Sequence, residues 1–424
     1  MASPTSEQSS LWKYPDFLRL WAGQSLSQFG SAFTYFAIPV IAVTVLHASE
    51  AEMGVVGFLL RVPMVLFLLF GVLADRVRKR PILIWTDLAR FVLMMVIPIA
   101  WFADLLTLTW LYVVIFGIGL LSTLFQTAYR SYFPFLVPRE NFMEGNSKLQ
   151  LSESLAQTVG PGLAAALLKV LAAPALLVID AVSYLASAIA VALIKRPESR
   201  PEPDDTTAGQ VHKAIWQGLL WVFKHELIRP LAISSAVYSL FILGSMNSIY
   251  ALYVIRDLGV PAAWFGSILA GGGVGAIIGA LIAVKVMRRY AIGKVLVWSM
   301  VYGNLALFLI PLAVNTVWLA VTMLVVAQVV SGVSSQVFFV TNTSLVQTVT
   351  PPQLQGRVVA SIYSLGLIPA PLGALGAGLL AGAVGTRGAL WVVVTIGALV
   401  PIAAMAWSPL AKLVYMPEPP QPED

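Results

Sequence analysis

The sequence predicts an all-α membrane protein with twelve transmembrane helices in two pseudo-symmetric six-helix bundles. Three observations lead there. Of 424 residues, 58% are hydrophobic and 11% charged, against about 45–50% and 25% in an average soluble domain. The roughly 246 apolar residues are close to twelve times the about 20 that one bilayer-spanning helix needs. They are gathered into long runs, and the cations between those runs are sorted to one side. This composition excludes an ordinary soluble enzyme, a disordered chain and a small secreted domain.

In chain order the apolar runs cover roughly 18–46, 53–74, 81–103, 107–128, 150–171, 174–194, 230–254, 263–287, 292–314, 317–340, 358–383 and 388–409. Helices are expected for all twelve. Backbone in hydrocarbon must satisfy its own hydrogen bonds, and the runs are too long and too uniformly apolar for barrel strands. Pro39, Pro63, Pro161, Pro369 and Pro371 fall inside them, as transmembrane helices tolerate. The first 16 residues are polar, and the run after them is too long for the apolar core of a cleaved leader.

Orientation follows from Lys and Arg, which collect on the cytoplasmic side. Lys169, Arg256 and Arg387 fall on the outer side, and Arg61 and Arg90 within spans. The other 21 of 26 lie on the inner side when both termini are cytoplasmic. The net charge of +6 is thereby explained without nucleic acid. The expected plan is a cytoplasmic N-terminal segment (1–16), a six-helix bundle (17–195), a cytoplasmic linker (196–228), a second bundle (229–410) and a Pro/Glu-rich tail (411–424). The linker opens with the polar stretch KRPESRPEPDDTT. Val211, Ile215, Leu219, Val222, Phe223 and Leu227 then recur at helical spacing. That pattern predicts an amphipathic helix on the membrane surface.

No cysteine occurs and the three histidines are far apart, so neither a metal site nor any other cofactor is expected. Nothing matches the phosphate-binding loop pattern, which argues against ATP hydrolysis by this chain. The outer loops carry only scattered acids, Glu50, Glu52, Asp104 and Asp257, and offer little to a membrane-embedded enzyme.

The sharpest motif is GVLADRVRKRP, Gly71 to Pro81. Here the chain resembles the major facilitator superfamily, whose loop between helices two and three reads G-x-x-x-D-R-x-G-R-[RK]. Gly71, Asp75, Arg76, Lys79 and Arg80 match, and Arg78 stands in place of the usual Gly. The resemblance implies that these residues lock the inner gate. A small residue permits close helix approach, and a carboxylate can sit at a helix N-terminus or pair with Arg. GALIAVKVMRRYAIGK (279–294) is a degenerate second copy without the acid. AQTVGPGLAAALL (156–168) is similar to the family's antiporter pattern at Gly160 and Pro161. Pro161 bends the helix and the small residues permit tight packing. Further stretches, among them residues 17–40, 57–76 and 355–381, look like the bacterial drug-efflux branch that includes macrolide and enterobactin exporters. The resemblance spans about residues 15–410.

Charges inside spans are costly and point to function. Asp180 and Arg61 lie at similar depth, which allows a pair. Asp87 and Arg90, three residues apart, suit a local ion pair. Glu153 is placed near the inner end of helix five. Asp180 and Glu153 are candidates for proton handling or for structural pairing. Gln126 stands where many relatives have Asp, and helix one carries no acid, so these two routes for proton coupling are weakened. Gln24, Gln28, Phe36, Gln126, Asn247, Asn304, Gln328 and Asn342 are candidates for a mostly apolar cavity suited to a lipophilic solute.

The expected protein is a monomeric secondary transporter in the bacterial plasma membrane, surrounded by lipid and working by alternating access. It exports a lipophilic small molecule in exchange for protons. The alternatives are import or export of a specific metabolite or siderophore, and a lipid flippase on the same fold.

Overall fold

A computed structural model describes residues 11–67, 70, 77–198, 208–351 and 353–417. The helices are α1 (Pro15–Thr44), α2 (Glu50–Arg61), α3 (Lys79–Phe102), α4 (Leu108–Leu136), α5 (Phe142–Leu167), α6 (Ala173–Ala192) and α7 (Ala208–Lys224). They continue with α8 (Arg229–Asp257), α9 (Ala262–Arg289), α10 (Ile292–Leu307), α11 (Val317–Val349), α12 (Gln355–Val384) and α13 (Thr386–Ala406). Among the described residues nine helices are long and apolar enough to cross a membrane. With α2, α5 and α10 they make the twelve expected spans, and α7 is the linker helix. Several helices outrun their apolar runs. Helix α5 begins at Phe142, eight residues early, because Glu144 and Lys148 pair one turn apart. Helices α12 and α13 are separated at Gly385, whose φ of 78° favours glycine.

The chain forms two compact units. The first contains α1 up to Ile38, α3, α4, α5 and α6. The second contains the rest of α1 from Pro39, then α2 and α7 to α13.

Within the first unit, small residues bring α1 against α6. A Cβ on Gly23 would lie 3.2 Å from the Ser187 Cα, and one on Gly30 2.9 Å from the Asp180 Cα. Close approach of this kind replaces hydrophobic driving force in a bilayer, where lipid tails are as apolar as side chains. One end is closed by an aromatic core that includes Phe17, Phe125, Tyr132 and Phe133. Two carboxylates tie this end together. Asp16 accepts the backbone N–H groups of Lys195 and Arg196 at 3.1 and 3.0 Å. Glu198 accepts those of Lys79 and Arg80 at 2.6 and 3.0 Å, capping the positive N-terminus of α3.

Within the second unit, Gly271, Gly275 and Gly279 are spaced by four and pack on Val325, Val329 and Val333, also spaced by four. This joins α9 to α11. Helix α2 packs on α12, where a Cβ on Gly54 would lie 3.0 Å from the Gly378 Cα. Arg256 bonds the Glu50 carboxylate beside that contact and also reaches Asp257. Helix α8 carries two π-helical turns, Ser239–Leu243 and Tyr253–Asp257. The first lies where Gly373 of α12 meets the Leu240 carbonyl, a local irregularity at a close contact.

Candidate functional site

The site is built inside the first unit, on α1, α3, α4 and α6. Asp180 is fully buried in α6. It accepts hydrogen bonds from Thr34 of α1 and, at 3.1 Å, from Ser183. Gly30 makes room for the carboxylate: a Cβ there would lie 2.6 Å from Asp180 Oδ1. One turn further along α6, the Tyr184 hydroxyl shares a 3.2 Å hydrogen bond with Ser31 of α1. Among the described residues the groups holding Asp180 by hydrogen bond are neutral hydroxyls, and Thr34 comes from another helix, α1.

Arg90 of α3 is the cation that acts on this group. Its guanidinium bonds Asp87, reaches Ser122 at 3.4 Å, and sits 4.3 Å from the Phe125 ring and 4.4 Å from the Tyr184 ring. Both members of the pair are buried. The i, i+3 spacing brought Asp87 and Arg90 together as expected, and the two rings complete a cation–π sandwich. The Asp87 carboxylate is also within reach of Ser187 on α6. Two carboxylates thus flank one cation. Asp87 is locked to it by a salt bridge, and Asp180 feels its charge.

The other candidates separate from this cluster. Glu153 lies about three turns into α5, which starts at Phe142. It is exposed and accepts a 3.2 Å bond from Gln157. Arg61 ends α2, in the second unit. Lys79 and Arg80 open α3, and Arg80 donates to the Ala192 carbonyl at 2.7 Å. Gly71, Asp75 and Arg76 lie outside the described residues. Gly160 packs on Ala32 of α1, with Pro161 following it inside α5.

Of the cavity candidates, Gln24 is buried in α1, Gln28 neighbours it one turn on, and each holds a buried Oε1 without a hydrogen-bond partner among the described residues. Phe36 is 1% exposed and belongs to the packed interior. Gln126 is exposed on α4. In the second unit Asn304 Nδ2 and Asn342 Oδ1 are likewise buried and unpartnered among the described residues, and Gln328 reaches the Tyr250 hydroxyl at 3.5 Å. The Asn247 side chain lies outside the described residues. Thr34, Ser31, Tyr184 and Glu198 were not singled out from sequence. They are ordinary residue types there, and only the fold brings them to a carboxylate, a ring or a helix end.

The comparisons agree with the fold. The Major Facilitator Superfamily profile matches residues 20–327. The chain is 26% identical over 374 residues to YfiS, an uncharacterized MFS-type transporter of Bacillus subtilis (strain 168), with 86% of each chain covered. It is 29% identical over 194 residues to macrolide efflux protein A of Streptococcus pyogenes, a match covering 45% of this chain and 47% of that one. Solved structures with the same fold include the nucleoside transporter NupG, with TM-score 0.71 at 14% identity, covering 92% of this chain and 98% of that one. A bacterial homologue of the iron transporter ferroportin has TM-score 0.72 at 16% identity, covering 94% and 99%. The twelve spans, the motifs and the matched profile lead to one conclusion: the chain is a multi-pass membrane transporter belonging to the Major Facilitator Superfamily, not an enzyme.

Proposed function

We propose that the protein exports lipophilic small molecules across the bacterial plasma membrane, in exchange for protons that bind at Asp180. The observation that carries the coupling is a fully buried carboxylate hydrogen-bonded by hydroxyls, with Thr34 reaching it from another helix. A proton carrier needs a carboxylate whose environment changes with conformation. Asp180 meets that requirement better than Glu153, which is exposed. Protonation removes the charge that draws the Thr34 hydroxyl. Thr34 lies five residues before Pro39, where α1 passes from the first unit to the second. Pro39 lacks an N–H, so the backbone bond to the Tyr35 carbonyl is missing and the helix bends there at little cost. Loss of the Thr34 contact thus frees α1 next to its weakest turn.

The export reading draws on the partial likeness to macrolide efflux protein A and on spans whose buried polar groups are mostly neutral hydroxyls with a few amides. The test is transport of a panel of lipophilic drugs in a susceptible host, with and without an uncoupler, for the wild type, Asp180→Asn and Glu153→Gln. Uncoupler-sensitive resistance is expected in the wild type and in Glu153→Gln, and in Asp180→Asn resistance that the uncoupler no longer alters. Unchanged pH-gradient coupling in Asp180→Asn sinks the assignment. Resistance to no drug despite normal membrane expression sinks the drug-export reading.

A further inference from the structure

The linker helix α7 has two apolar faces. One is packed on its own unit. Gly218 lies against α12, where a Cβ would come within 2.6 Å of the Arg357 carbonyl and of Ser361 Oγ, and Val222 is fully buried. Gln217 accepts a 2.8 Å hydrogen bond from Arg357 at the edge of this contact. On the opposite side of the helix Trp216, Leu220 and Phe223 are exposed, at 54, 42 and 40%. Their spacing of four and three residues puts them in one stripe. The amphipathic pattern expected from sequence is thus divided: Val222 faces the bundle, while Phe223 joins the open stripe.

We propose that this open stripe lies on anionic lipid of the inner leaflet, making α7 a strap between the membrane surface and the inner end of α12. Three observations commit the face to lipid. Its composition, Trp, Leu and Phe in a stripe, is that of a helix lying in the interface. Lys224 and Arg229 are exposed beside the end of the helix with Glu226 between them, and the excess of one cation at such a position attracts an anionic leaflet. Helix α7 ends five residues before the span α8 begins, so it is held at membrane level. The side is the one the sorting of Lys and Arg assigns to the cytoplasm. His225 adds no charge at neutral pH, because burial holds its imidazole below the usual histidine range.

The full chain contains no cysteine, so a single Leu220→Cys or Phe223→Cys variant can carry an environment-sensitive fluorophore. The labelled protein is reconstituted into vesicles of phosphatidylcholine alone and of phosphatidylcholine with one third phosphatidylglycerol. The expected result is a blue-shifted probe in the anionic vesicles, shielded from aqueous iodide and quenched by nitroxide-labelled lipid, with weaker shielding in the neutral ones. Lys224→Gln should reduce the anionic preference by about fivefold, the share of one cation near a charged surface. Equal iodide access in both vesicles overturns the proposal. So does equal shielding in both, which removes the role of anionic lipid. Shielding from iodide that nitroxide-labelled lipid does not quench also overturns it, because protein then covers the stripe. None of these readouts depends on the transported solute or on its direction.

Discussion

The Asp87–Arg90 pair is open to a quantitative test because its surroundings are fully specified. Arg90→Met keeps most of the side-chain volume but removes the cation. Asp87, whose side chain is 0% exposed, then loses its cation and keeps the Ser187 hydroxyl in reach. Removing one partner of a buried ion pair costs roughly 3–5 kcal/mol. The lost stacking on Phe125 and Tyr184 is worth up to about 2 kcal/mol when desolvated and overlaps with that figure. Asp87→Asn should cost less, about 2–3 kcal/mol, since the Arg90 charge still feels Asp180 and a truncated hydrogen-bonded charge loses part of its desolvation compensation. Combining the two removes both charges of the pair, so neither is left buried without the other. The double variant should be more stable than Arg90→Met alone, with a coupling energy of about 2–3 kcal/mol. The assay is equilibrium unfolding of the purified protein in mixed micelles, followed by tryptophan fluorescence, for all four corners of the cycle. Additive losses, or single losses below about 0.5 kcal/mol each, would refute the buried-pair reasoning.

Four further outcomes follow at other positions. Gly378→Val places a Cβ against the Gly54 Cα and 2.7 Å from the Glu50 carbonyl; it should lower stability by about 1–3 kcal/mol. Gly382→Ala, where nothing lies within 4 Å, should be neutral in the same unfolding measurement. Glu198→Gln weakens two backbone hydrogen bonds at the start of α3; a loss of about 1 kcal/mol is expected, read as faster amide exchange at Lys79 and Arg80. Glu50, at the N-terminal tip of α2 ahead of its apolar run, has its carboxyl held below the usual range by its own backbone N–H and by Arg256. A depressed folded value means that the stabilisation is complete above about pH 4.5, the ordinary carboxylate value. It is lost as pH falls through the folded value, and the melting temperature should be flat from pH 8 to 5. Because both partners are partly exposed, Glu50→Gln should cost at most about 1 kcal/mol and abolish this acid-side decline.

The number and order of spans, the separate linker helix and the Asp87–Arg90 pair were legible from residue patterns, because each rests on local spacing. Asp180 was legible as a charge in an apolar run, but Thr34 as its partner was not, at 146 residues' separation. Glu153 resembled Asp180 in sequence, and only the early start of α5 and its exposure distinguished them. Glu198 looked like one more charge in a polar linker until the fold placed it at the start of α3.

The sequence by itself determined that this chain crosses a bilayer twelve times, which family it resembles, and where its few intramembrane charges lie along each helix. Those properties depend on length, apolar content and charge, which the bilayer reads one helix at a time. Tertiary structure alone decided which faces meet. In water an apolar stripe marks the buried side of a helix. In a bilayer the lipid-facing side is just as apolar, so periodicity loses that information. Helix partners are then chosen by small residues and isolated polar groups: Gly30 opposite Asp180, Gly54 opposite Gly378, Gly218 opposite Arg357. Each of these pairs is visible only when both helices are in place.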